Sequence, residues 1–288
     1  MDTEQVVTIK KSKWATRKDR LRHLPWGPIV IISGLVLAGT LGPWLTPYSP
    51  YSPNLPERLQ PPGGEYLLGT DTLGRDLLTR LIFGARVTLT VAISALLVGG
   101  GVGLCVGLIA GYYGGKVDIV LARLIDVFLS FPTIFFALIF AVLLQPSFST
   151  VIVAIAVSLW ARFARVIRGD VLSIKQGDFV AQARVAGCSD ARIIVVHIIP
   201  YVVSTFMVLV SLDVGWVIII ESTLSFLGAG VPPPEPSWGS ITAEGRQYIS
   251  TAWWISTFPG LAITLIVLSF NLFGNWLRDT LDPRLREL

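Results

Sequence analysis

The chain has 288 residues, 52% of them hydrophobic and 15% charged, whereas soluble domains carry about 45–50% apolar and about 25% charged residues. That excess, with a mean hydropathy of +0.66, excludes an ordinary water-soluble domain and indicates lipid as the solvent. The net charge of +4 is spread in a way that fits a membrane topology and does not call for a nucleic-acid partner.

In chain order, residues 1–25 read as a basic cytoplasmic tail. They do not read as a signal peptide, because the basic stretch is long and the apolar run after it lacks a small-residue cleavage site. About 20 mainly apolar residues are needed to cross a bilayer. Six segments answer that description: Trp26–Leu45, Thr88–Tyr112, Ile119–Leu144, Thr150–Ala164, Tyr201–Gly228 and Trp253–Leu277. The fourth is short, with Arg162 and Arg165 expected at its end, where their stems reach the headgroups. The expected fold is an all-α membrane protein with six transmembrane helices. Residues 26–86 hold the first span and an external loop, 87–279 the other five spans, and 280–288 a cytoplasmic C-terminal tail.

Orientation follows from lysine and arginine. With both termini inside, eighteen of these residues face the cytoplasm and five, Arg58, Arg75, Arg80, Arg86 and Arg246, lie outside. The two outer loops are rich in proline, which stiffens backbone. They serve either as plain connectors or as a dock for an external partner. Within the first, Thr70 or Asp71 is expected to cap a surface helix running toward Arg86, with Asp76 and Arg80 paired four residues apart. Trp238 is expected in the outer membrane interface.

The second span carries Gly99, Gly103, Gly107, Gly111 and Gly115, one every fourth residue. This spacing lays a smooth groove for close helix packing. It is not a phosphate loop: Ala110 stands where the first glycine should be, and Val117 follows Lys116.

Between the fourth and fifth spans lies a polar insert at about 175–199. Asp178 to Ala186 is expected as a short helix, with Gly187 as its left-handed terminator. Ser189 or Asp190 then caps a second short helix presenting Ile193, Ile194, Val196, His197 and Ile199, until Pro200 stops it. The insert is either an interfacial hairpin without a partner or a docking knob for a soluble cytoplasmic machine. His197 lacks a companion ligand set, the only other histidine being His23. No metal spacing and no nucleophile–base pair is present, and Cys105 and Cys188 are not expected to pair. Among intramembrane charges, Asp126 is expected to pair with Arg123. Glu221 is expected to fix the turn into the outer loop. Asp213 either pairs within the bundle or meets a substrate amine.

The insert, with Gly187 followed by "RIIVVHIIP", resembles the cytoplasmic loop of binding-protein-dependent ABC importer permeases. Of the family pattern Glu-Ala-Ala-x3-Gly, Ala183 and Gly187 match, while Ala181 and Gln182 replace the first two residues. "LLGTDTLGRDLLTRLIFGARVTL" (67–89), "RLIDVFLSFP" (123–132), "ESTLSFLGAGVPPPEPSWGSITAEGR" (221–246) and "WWISTFPGLAITLIVLSFNLFGNWLRDTLDPR" (253–284) resemble the C-type permease of the dipeptide, oligopeptide and nickel subfamily. The resemblance implies a type I importer permease fold. It implies a homologous second permease, two cytoplasmic ATPase subunits that bind ATP and magnesium, and an external substrate-binding protein. The chain itself is then no enzyme and holds no cofactor. Short peptides are the substrate it implies, with nickel or another small solute as alternatives. A secondary transporter working without ATPases is the rival class, although no inverted repeat of the kind such folds show is evident.

Overall fold

The computed structural model describes residues 24–144 and 147–281. The expectations for the basic tail before residue 24, His23 included, and for the tail after residue 281 lie outside those residues. Among the described residues the regular structure is helical, without a named strand. Helix α1 spans Trp26–Leu45, α2 Leu77–Tyr113, α3 Gly115–Ser130, α4 Thr133–Leu143, α5 Phe148–Ile174 and α6 Asp178–Val185. A continuous helix α7 runs over Asp190–Phe226, followed by α8 (Trp238–Gly245) and α9 (Trp254–Leu281).

By length and composition, α2, α5, α7 and α9 are long and apolar enough to cross a membrane, and α3 with α4 counts as at most a fifth. Helix α1 is a shorter apolar helix. The expected third span, Ile119–Leu144, is not one straight rod: α3 and α4 meet at 87°. Pro132 explains the break, since proline lacks an N–H and clashes with the preceding turn. The second and fourth spans are longer than expected. α2 begins at Leu77, where Asp76 accepts a hydrogen bond from the Thr79 N–H at 2.8 Å. The separate surface helix expected before residue 87 is therefore the first part of α2, and the cap is Asp76 rather than Thr70 or Asp71. α5 continues a further three turns past Arg162, so the arginines do not end it.

The glycine stripe does what its spacing requires. A Cβ on Gly99 would lie 2.7 Å from the Ala156 carbonyl, one on Gly107 2.9 Å from that of Ala164, and one on Gly111 2.7 Å from the Val171 Cβ. These glycines seat α2 directly on the backbone of α5. Gly115, last in the series, lies outside the contact; with Gly114 it adopts positive φ and separates α2 from α3. The main core, including Leu96, Ile155, Leu159, Phe163, Val217 and Ile218, fills the space between α2, α5 and α7. α9 lies along α7, where Gly274 meets Leu212 and Gly215 meets Val267.

Candidate functional site

At one end of the bundle sits the α6–Gly187 knob. Gly187 has φ of +78°, the conformation glycine adopts without steric cost. The Cys188 N–H reaches back to the Ala183 carbonyl at 3.1 Å, and the Gly187 N–H to that of Arg184 at 3.0 Å. This pair of bonds is the Schellman ending of a helix. Ser189 then caps the start of α7, accepting from the Arg192 N–H at 3.4 Å. The helix–glycine–helix shape expected from sequence is therefore present.

Two features differ from expectation. Pro200 does not end the second helix: Ile193–Ile198 form a π-helical turn, and the chain runs through Pro200 in the first turn of Ile199–Phe226. The Ile199 N–H bonds to the Ile194 carbonyl, five residues back. The wider turn accommodates a residue without an N–H, so the helix continues. In addition, the residues expected at the knob do not share one face. Ala181, Gln182, Gly187, Ser189, Asp190 and Pro200 are exposed, His197 is half-buried, and Ala183 is buried with Val180, Ile193 and Ile198 beneath the knob. Val185, not singled out from sequence, is 91% exposed and makes the tip apolar.

The knob is tethered to the adjoining end of α2. Tyr112 donates its hydroxyl to Asp190 at 2.6 Å. The Arg184 guanidinium lies 5.8 Å from the Tyr112 ring centroid, and Lys175 Nζ donates to the Gly111 carbonyl at 2.6 Å. With α5 leading in and α7 leading out, three long helices converge on it.

Along α5, three arginines on successive turns each hold an acid from another helix. Arg162 Nη1 lies 3.0 Å from Asp213 of α7. Arg165 pairs with Asp126 of α3 at 2.5 Å, and Arg168 pairs with Asp118 of α3 through two bonds, one of 2.8 Å. The expected Arg123–Asp126 pair is thus replaced by an interhelical one, because these side chains meet across the α3–α5 seam. Asp213 itself is buried, which favours its bundle-pairing alternative; its Oδ2 has no hydrogen-bond partner among the described residues. Arg162 and Arg165 are pairing residues, not markers of a helix end.

The opposite end is closed by a polar cap. Asp71, wholly buried, accepts from the Leu73 and Arg75 N–H groups through Oδ1, and through Oδ2 from Arg75 Nε at 2.6 Å and Arg80 Nη1 at 2.7 Å. Glu244 of α8 grips Arg80 through both of its oxygens and also reaches Arg75 at 3.1 Å. Two acids and two arginines leave this cluster neutral. Arg80 therefore pairs with Asp71 and Glu244 rather than with Asp76. Trp254 Nε1 donates to the Thr70 carbonyl at 3.1 Å and Trp238 Nε1 to that of Leu81 at 2.9 Å. Trp238 is thus buried, not interfacial: its indole fixes α8 against α2. Nearby, buried Glu221 accepts from Ser225 at 2.8 Å, and Ser225 meets Ser237, the cap of α8, at 3.2 Å. Through Ser225, Glu221 links the last turns of α7 to the Ser237 cap of α8.

Residues 103–287 match the family model described as binding-protein-dependent transport system inner membrane component. The chain belongs to this family. As an inner-membrane component of such a transport system it is a membrane permease subunit. A Brucella suis protein named as a peptide transport system permease is 43% identical over 258 residues, 90% of this chain and 87% of its own length. The dipeptide transport system permease DppC of Alkalihalophilus pseudofirmus is 38% identical over 284 residues, 99% of this chain and 93% of its own. The nickel transport system permease NikC of Escherichia coli K12 is 39% identical over 257 residues, 89% and 93% of the two chains. Among solved structures, the inward-facing MetNI methionine ABC transporter overlays with a TM-score of 0.58 at 17% identity, covering 70% of this chain and 96% of that one. At that identity the likeness shows the fold alone, that of an ABC transporter permease.

Proposed function

We propose that this permease forms half of the translocation pathway of an ATP-driven importer of short peptides in the cell membrane of a prokaryote. A homologous second permease supplies the other half. An external binding protein delivers the peptide, and two cytoplasmic ATPase subunits grip the knobs of the two permeases, the 175–199 segment in this chain. In this reading six helical spans cross the membrane, α1 and the bent α3–α4 pair included, with both termini and the knob inside. The excess of lysine and arginine on the knob side supports this orientation.

The observation that carries the coupling is the knob itself. An exposed apolar tip, Val185, suits burial in a groove of a partner. The turn is made rigid by a Schellman ending, and no flexible linker separates it from α7. ATP binding closes the two ATPases, the knobs follow, α5 and α7 tilt, and the cavity changes the side on which it opens. ATP biases these states only through the differential affinity of its own subunits for them. The peptide reading is supported by the named relatives and the nickel reading by NikC.

The test is ATP-dependent uptake into proteoliposomes holding both permeases and both ATPases, with the binding protein added. Labelled tri-alanine and nickel are offered in parallel. Uptake of tri-alanine and not nickel is expected. Nickel uptake alone overturns the peptide reading, and uptake by this permease without ATPases overturns the importer reading.

A further inference from the structure

We propose that a groove at the root of the knob is a binding site for a short zwitterionic peptide, the imported product itself, which restrains the knob as it accumulates on that side. The inference rests on the peptide-import reading and its orientation, and adds a regulatory site to it.

The groove has a volume of about 530 Å³, within the ~300–1,000 Å³ of small-molecule sites. Three helices wall it. Val166, Asp170, Ser173 and Ile174 of α5 follow the i, i+4, i+7, i+8 spacing of one helix face. A matching stripe of α7 runs from Tyr201 to Leu212, and α9 contributes Arg278. Ile174 is the last residue before the 175–199 segment and Tyr201 the second after it. Two walls of the groove therefore run directly into the knob.

Its polar groups lack partners of their own. Asp170 and Arg278 both line the groove, yet neither side chain makes a hydrogen bond or ion pair among the described residues, with the other or with a third group. Opposite charges left apart on separate walls of one cavity fit a ligand that carries both signs. Asp170 accepts from an ammonium, and the planar fork of Arg278 donates two parallel bonds to a carboxylate. The hydroxyls of Ser173, Thr205 and Tyr201 also make no hydrogen bond among the described residues, and each can serve a peptide N–H or carbonyl. Leu209 and Leu212 supply an apolar surface for small side chains. A short peptide with free termini combines all of these chemistries.

A ligand that bridges α5 and α9 across α7 binds best at one spacing of the walls. In the proposed cycle α5 and α7 tilt with the knob, so that spacing changes. Affinity that differs between the two arrangements shifts their populations toward the tighter one. The solute met on the knob side is the product of import, and the site thereby reports its accumulation to the helices that carry the knob.

The experiment uses the complete importer, both permeases with both ATPases. Equilibrium dialysis without the binding protein measures labelled tri-alanine, N-acetyl-tri-alanine and tri-alanine amide. Wild type should bind tri-alanine about tenfold more tightly than either blocked probe, the discrimination of about one charge-assisted bond. In Asp170→Asn the acetylation ratio should fall toward one while the amide ratio stays, and in Arg278→Gln the reverse. Hydrolysis is then followed in inside-out proteoliposomes with loaded binding protein sealed in the lumen. Tri-alanine added outside with ATP should slow wild type, and the ratio of rates with and without it should return to one in both variants. Equal weakening of all three probes, or binding that neither variant alters, overturns the site, as does the absence of binding. Binding that leaves hydrolysis unchanged overturns the regulatory role. Phosphatidylethanolamine retained by wild type in native mass spectra, lost from both variants and not displaced by tri-alanine, overturns the choice of a peptide. Tri-alanine uptake without this binding leaves peptide import standing, whereas absence of uptake overturns the import reading and the site falls with it.

Discussion

Arg80 and Glu244, 164 residues apart, meet fork to fork at 2.5 and 2.9 Å, and Asp71 closes on the same guanidinium from the other side. Arg80 is only 2% exposed. Removing one member of a buried pair leaves an uncompensated charge, at a cost of about 3–5 kcal/mol. Glu244 is 32% exposed, so Glu244→Ala should fall at or below the lower end of that range. Thermal unfolding of the detergent-solubilised complex measures this. Exchanging the charges by Glu244→Arg with Arg80→Glu should recover only part of the loss, because Asp71 and Arg75 remain fixed around the site.

Gly187→Val places a β-branched residue at φ +78°, a conformation costing such a residue on the order of 1–3 kcal/mol. The strain falls on the Ala183–Cys188 and Arg184–Gly187 bonds. A Cβ there meets nothing within 4 Å, so the loss is one of backbone shape rather than of space. Transport-coupled ATP hydrolysis should drop, with basal hydrolysis by the ATPases retained. Gly187→Asn, which tolerates the left-handed region, should restore much of the coupling.

Gly103→Ala tests the seating of α2 on α5. The added carbon would stand 2.5 Å from both the Phe163 Cβ and the Trp160 carbonyl, too close for either helix to remain in place. Overpacking of this kind costs about 1–3 kcal/mol. Gly101→Ala, with nothing within 4 Å, is the paired control and should be neutral within about 0.5 kcal/mol. Thermal melts of the two variants should separate accordingly.

Tyr112→Phe removes the hydroxyl that holds Asp190 at 2.6 Å but keeps the ring beneath Arg184. The expected loss is about 1 kcal/mol of local stability. It should be read as faster hydrogen exchange at the start of α7, with the remainder of the bundle unchanged.

The parts legible in the sequence are those with local causes. Gly187 terminates α6 through bonds spanning at most five residues, so a few neighbours suffice to predict it. The glycine stripe is likewise a one-dimensional pattern with a direct three-dimensional meaning. The break at Pro132 was also legible in principle, since a proline interrupts the apolar run there. Partners of charged residues were not legible. Asp126 sits three residues from Arg123 yet pairs with Arg165, 39 residues away, because the α3–α5 crossing decides which side chains meet. The general preference of tryptophan for membrane interfaces misplaces Trp238. Only the packing of α8 against α2 reveals the Leu81 carbonyl that its indole requires. The exposure of Val185 at the apex of a turn is a property of the tertiary arrangement.

Helix α7 reaches from Asp190 to Phe226 as 37 unbroken residues, about 55 Å of rod. One extremity carries the glycine-ended handle and the other Ser225, which meets the Ser237 cap of α8. A rod of that length pivoting near its midpoint through about 10° swings each tip by about 5 Å in opposite senses, by simple geometry on the helical rise. In the proposed importer, a displacement at the handle would be returned at the Ser225 end as an opposite displacement, the π-helical turn Ile193–Ile198 being the one irregular stretch between handle and rod.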